Sequence, residues 1–244
     1  MKNIGKLAVL GAVLAASSSF AFGDTIVAAS YGNNAVYNPS GLVTTGNTAM
    51  TFVGSVTYGS VAAIPTPPPA TPYTGGGFNA FQVDPSSSWA AALGGSSWVG
   101  FSPTAGPVGT VDPAYGYYEF QTTLTQAISG GTLNVYADDT VEVLLGNTVI
   151  IPFGSLGGDS HCADNAPTCV ANKFGSAAFS AASGSVLTFI VEQAGLTGQN
   201  PNMDPSGVDF NVTIPGAPEP NSLMLLGTGL VGAAGMFFRR RVNA

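Results

Sequence analysis

The sequence predicts an all-β fold, a single antiparallel β-sandwich, and three observations carry that prediction. Short runs rich in Val, Phe, Tyr and Thr recur along the chain, separated by Gly, Pro, Asn and Ser. Val208, Phe210, Val212 and Ile214 alternate strictly with polar residues, the period of a half-buried strand, while no internal stretch sustains a 3.6-residue period. Only 8 % of the 244 residues are charged, with 33 Gly and 17 Pro, a composition that suits an exported β-rich protein. Apolar content of 45 % separates the chain from disordered sequences.

Taken in order, residues 1–23 have the layout of a secretory signal peptide. Lys2 and Lys6 precede an apolar run over 7–16, and small residues follow, with cleavage after Ala21 or after Gly23. The run is too short for a lasting bilayer span. The sandwich is expected over 24–215. Its strands are expected at 49–58, 115–124, 132–137, 140–145, 148–151, 185–193 and 208–214, with weaker ones at 78–83 and 97–101 and another near Phe179. Gly146-Asn147 forms a two-residue hairpin turn between two of them. Residues 62–77, with five prolines and then three glycines, read as a long surface loop inside the domain. Residues 87–93 suit a short turn. Trp89 and Trp98 are expected to pack in the core rather than to stack on sugar.

Residues 216–244 close the chain with an unusual charge pattern. Residues 223–238 carry no charge and would measure about 24 Å as a helix, short of the roughly 30 Å of a hydrocarbon core. Arg239, Arg240 and Arg241 follow directly. Such a cluster resists translocation and stays cytoplasmic beside an exported body. Pro218 and Pro220 bracket Glu219 and keep the preceding peptide extended, a form that a protease cleft accepts. Pro-Glu-Pro, a short apolar helix and a terminal arginine cluster, in that order, resemble the PEP-CTERM sorting signal. The resemblance implies an exosortase-type membrane protease as a partner, with the secretion translocon upstream, and a body that is released or transferred after transient anchoring in the inner membrane. A permanent single-pass anchor is the competing reading of the same residues.

Parts of the body resemble galactose-binding-like jelly-roll sandwiches. The likeness rests on 97–99, 117–123, the stretch from Ala137-Asp138-Asp139-Thr140 to Gly146-Asn147, 187–191 and 205–208. It implies a jelly-roll arrangement of the strands. Extracellular polysaccharide is the partner expected of the exported, sorted body as a whole.

Charge limits the classes of function. Residues 24–216 hold twelve acids and one base, Lys173, a net charge of −11; such a surface repels nucleic acid. Glycine-rich phosphate cradles ahead of a helix are absent from the sequence. Cys162 and Cys169, the sole cysteines, suit a disulfide in an oxidising compartment and would staple the loop between strands near Ile151 and Phe179. A zinc site needs more ligands than these and the lone His161 supply. Asp159-Ser160-His161 holds the residue types of a hydrolase triad, but consecutive residues cannot adopt triad geometry. The densest acidic cluster is Asp138, Asp139 and Glu142. It reads either as an ordinary turn or as oxygens for calcium or a sugar hydroxyl. Calcium is thus the one cofactor that the sequence raises. Glu119, Glu142 and Glu192, all on expected strands, are the carboxylates a glycoside hydrolase would use. The expectation is an exported, non-catalytic envelope or matrix protein with weak glycan binding; the alternative is a secreted glycan-acting hydrolase.

Overall fold

A computed structural model describes residues 24–31, 50–70, 72–109, 111, 113–157, 162–195, 204–215 and 228–229. The signal-peptide stretch, His161, Pro218-Glu219-Pro220 and Arg239 to Arg241 lie outside the described residues. Two compact units divide the chain, Ile26–Ile214 and a second comprising Met1–Thr25 with Pro215–Ala244. In the second, Thr228 and Gly229 are helical. Among the described residues no helix is long and apolar enough to cross a membrane.

Among the described residues twelve strands build the first unit, β1 entering it at Ile26: β1 Thr25–Ala29, β2 Thr51–Thr57, β3 Thr74–Asn79, β4 Phe81–Gln82, β5 Val99–Gly100, β6 Gly116–Thr123, β7 Ile128–Asp138, β8 Thr140–Leu145, β9 Thr148–Ile151, β10 Gly175–Ala181, β11 Val186–Gln193 and β12 Gly207–Ile214. One sheet runs β10-β7-β12-β5-β4, with β1 also on β12; the other runs β3-β2-β6-β11-β8-β9. Their ladders are antiparallel. The two sheets pack as the expected sandwich.

Period-two alternation puts one residue in two of each central strand into the space between the sheets. The first sheet supplies Leu133, Val135, Ala137, Val208, Phe210 and Val212; the second supplies Phe52, Phe120, Val141, Val143, Leu187, Phe189 and Val191. Burial of this set is the main favourable term for the fold. Thr140–Leu145 and Thr148–Ile151 pair across Gly146-Asn147, where Gly146 takes φ +58° as the turn requires.

Two expectations need correction. The loop expected over 62–77 ends early, because Thr74–Asn79 is an edge strand paired with β2. Its glycines permit the pairing: a Cβ on Gly76 would fall 2.2 Å from the Val53 backbone. The strand expected over 78–83 is also not one element. Phe78 and Asn79 end β3 in the second sheet, while Phe81–Gln82 belongs to the first. Ala80, fully buried, marks the crossing, its N–H donating to the Met50 carbonyl at 2.9 Å.

The outer face of the first sheet is covered as well. Trp89, Trp98 and Tyr136 form a second cluster with Val83, Ala90 and Cys169. The indole centroids lie 4.4 Å apart, and Trp98 stacks on Tyr136 at 6.0 Å. Trp98 Nε1 donates to the Ala90 carbonyl at 2.9 Å. Both tryptophans are therefore buried packing residues, although outside the space between the sheets.

Candidate functional site

The chain crosses from the first sheet to the second at Asp138-Asp139, between β7 and β8. Leu133, Val135 and Ala137 point inward, so Asp138 follows Tyr136 onto the outer, tryptophan-covered side. Its Oδ2 accepts a hydrogen bond from Trp89 Nε1 at 2.6 Å. Asp139 Oδ2 accepts two, from the backbone N–H of Ala194 at 2.6 Å and of Gly195 at 3.0 Å, just beyond the end of β11. Both side chains are sealed from solvent, at 0 % and 1 % exposure. Burial, followed by the neighbouring Asp139 charge, pushes the Asp138 carboxyl well above the usual carboxylate range. Burial, then the Asp204 charge, raises Asp139 to about 7. The charge of Asp204, which precedes β12, reaches both carboxyls; nothing in its sequence spacing marks it, since it stands 65 residues after Asp139.

Glu142 goes elsewhere. Val141 and Val143 face the core, so Glu142 lies on the outer face of the second sheet. Across the ladders Glu119, Ile190 and Glu142 stand side by side on β6, β11 and β8, and Glu192 lies opposite Tyr117 on β6. Burial raises the pKa of all three glutamates, and a hydrogen bond from Gln121 Nε2 at 2.7 Å partly offsets this at Glu119. The charges of Glu119 and Glu142 both reach Tyr73. Tyr117 donates from its hydroxyl to the Pro65 carbonyl at 2.7 Å, so the proline-rich loop roofs one end of this face. Under that roof Tyr117 is fully buried and Glu119 is buried as well.

Cys162 and Cys169 are bonded, with Cα atoms 5.4 Å apart. Asp138 and the two sulfurs lie within 4.8 Å of one another. The loop they close is docked by backbone bonds from Ala90 to the Cys169 carbonyl (2.8 Å) and from Ala137 to the Thr168 carbonyl (3.2 Å). Thr140 Oγ1, which donates to the Pro167 carbonyl at 2.9 Å, adds a third tie. Replacing both cysteines by serine is expected to cost about 2–3 kcal/mol on the chain-entropy model. Because Cys169 packs with the tryptophans, their emission should shift as well. Urea melts followed by fluorescence check this; unchanged midpoint and emission would mean that the bond bears no load.

Residues 217–241 match the PEP-CTERM protein-sorting motif. It implies export of the chain and processing by exosortase, a membrane protease. No curated protein and no solved structure matches the chain.

Proposed function

From the sorting motif that closes the chain, we propose an exported, non-catalytic β-sandwich protein of the cell envelope or extracellular matrix. Residues 1–23 direct it through the translocon, residues 223–238 hold it briefly in the inner membrane, and the arginines keep the tail cytoplasmic. Exosortase then cuts near Pro218-Glu219-Pro220 and frees or transfers the body. The single observation that carries this reading is the motif at 217–241. The short apolar run supports it, since a helix of about 24 Å suits transient holding better than permanent anchoring.

The body's role in this reading is structural or adhesive, with weak glycan binding on the face that bears Tyr73, Glu119, Glu142 and Glu192. Its net charge of −11 over 24–216 favours neutral polysaccharide over anionic polymers. The gathering of three desolvated glutamates on that face also favours a second reading, a secreted glycan-acting hydrolase. Turnover of a polysaccharide that is lost in Glu119→Gln, Glu142→Gln or Glu192→Gln would replace the first reading by the second.

The deciding experiment for sorting is mass spectrometry of the exported product. The expected mature C-terminus lies at or near Pro218-Glu219-Pro220. Changing the three residues to alanine should leave membrane-bound chains that keep their arginines. Recovery of wild-type exported protein with Arg241 still attached would establish a plain anchor instead.

A further inference from the structure

We propose that β3 is a docking edge for a second copy of this chain. The two β3 strands would pair antiparallel about a two-fold axis and continue the second sheet from one molecule into the next. The inference goes beyond the sorting reading and does not depend on it. β3 ends the order of the second sheet, with β2 on one side and no strand on the other. All six of its residues, Thr74 to Asn79, are exposed, which holds for no other described strand. Among the described residues no backbone bond outside the β2 ladder reaches 74–79. Such an edge leaves N–H and C=O groups on its free side open to another strand.

Natural edges are usually guarded by charge, proline, coverage or a bulge. Within β3 only the bulge is present, where Gly76 and Gly77 stand opposite the single residue Val53. A Cβ on Gly75 or Gly77 would meet nothing within 4 Å, so no neighbouring segment crowds the strand there. Phe78, in the same strand, keeps 39 % of its surface exposed, although its ring lies 5.3 Å from Phe52 and 5.8 Å from Phe81. A strand added at this edge would supply the cross-strand neighbour that the ring lacks.

Charge identifies the occupant. Residues 24–216 carry −11, so two copies repel each other over most of their surface. Residues 25–83, which include β2, β3 and β4, hold no charged residue at all. Inward from β3 along the second sheet, the first charge is Glu119 on β6, opposite Gly54. Two strand spacings put it about 10 Å from the edge. β3 is thus a place where two acidic bodies can meet without setting acid against acid. A basic partner would find no acid on this edge to pair with, and an acidic one no base. A strand paired with its own two-fold copy is necessarily antiparallel, so one sequence serves both sides of the contact. Six residues a side make a small interface, so the association is weak and grows with concentration.

The test follows the full chain in detergent by sedimentation equilibrium and by hydrogen exchange of its peptides over a range of protein concentrations. A reversible dimer is expected. Exchange at 74–79 should slow as concentration rises, while exchange at β9, the opposite edge of the same sheet, stays constant. Added sodium chloride should strengthen the dimer, because it screens the repulsion between the acidic bodies. Thr74→Glu, at an exposed position, should weaken it by about tenfold or more, since the two-fold axis brings both new charges to one contact. Val149→Glu, exposed on β9, should leave it unchanged. A chain that stays monomeric would overturn the proposal. So would a dimer whose 74–79 amides exchange at one rate at every concentration, as one held by residues 223–238 would show. Thr74→Glu that dimerises like the wild type, or Val149→Glu that weakens the dimer as much, overturns it too. Protection of 74–79 that requires an added neutral polysaccharide would give the edge to a glycan instead.

Discussion

Phe210→Ala and Phe189→Ala should each lower the unfolding free energy by about 3–5 kcal/mol, the range for truncating a large buried aromatic side chain. Both rings are fully buried, and their centroids lie 4.6 Å apart at an interplanar angle of 34°. Phe210 stands on β12 of the first sheet and Phe189 on β11 of the second, so the pair spans the sandwich. Each truncation removes apolar area and leaves a cavity between layers that cannot close without moving a whole sheet. The double variant should lose less than the sum of the two, by about 0.5–1.5 kcal/mol, because the ring–ring contact can be lost only once. Urea denaturation of the four proteins measures this cycle. Strict additivity would mean that the two strands do not face each other, and the sandwich as described would be wrong.

The same residues show how far the sequence could be read. Phe210 was legible through alternation with Val208 and Val212, and the β8–β9 hairpin through Gly146-Asn147. These are local signals, with periods of two residues and turns of two. The glycines of β3 gave no such signal, because what makes them a strand is the close approach of β2 at Val53, a contact between segments far apart in the chain. Ala80 likewise looks like one more strand residue until the two sheets claim its neighbours separately.

The acidic residues repeat the lesson at the candidate site. Asp138, Asp139 and Glu142 form a cluster in sequence, yet alternation sends Glu142 to the outer face of the second sheet, under the reach of Tyr73. The charge of Asp204 reaches the aspartate pair instead, brought in by the return of the chain before β12. The carboxylates that share a face, Glu119, Glu142 and Glu192, lie on three strands whose register only the ladders define. Alternation also tells which residues point inward, but not whether something covers the outward ones. Asp209 is one such outward residue, yet fully buried. The segment at 93–97 buries it, and Asn211, on the same side, donates from Nδ2 to the Gly94 carbonyl at 2.9 Å.

That covered carboxylate should give this protein an inverted stability profile in mild acid. Burial raises Asp209 to about 6, against the opposing hydrogen bonds from Ser96, Leu93 and Ser30; no charged group contributes to the shift. In the unfolded chain an aspartate titrates near about 3.9. Between these values the folded state holds a proton that the unfolded state has lost, so the contribution of Asp209 to stability is complete below about pH 4. It falls away as pH rises through about 6 and is constant above. The change is on the order of 3 kcal/mol across that window. Burial moves Glu119, Glu142 and Glu192 in the same direction, so the wild-type slope has several contributors. Asp209→Asn isolates one of them. Asparagine cannot titrate, and its amide oxygen can still accept from Ser30 and Ser96. Its NH2 group meets the Leu93 N–H, which costs a constant amount at every pH. Urea melts of both proteins at pH 4.5, 5.5, 6.5 and 7.5 should therefore show the gap between them changing below pH 7, with the variant losing less stability as pH rises. Parallel curves would mean that Asp209 titrates like an exposed carboxylate and that the 93–97 segment does not seal it. The same change tests the tie that holds β1 to β12, because Ser30, which Asp209 fixes, accepts the Phe210 N–H on its Oγ at 3.0 Å and donates its own N–H to the Phe210 carbonyl at 2.9 Å.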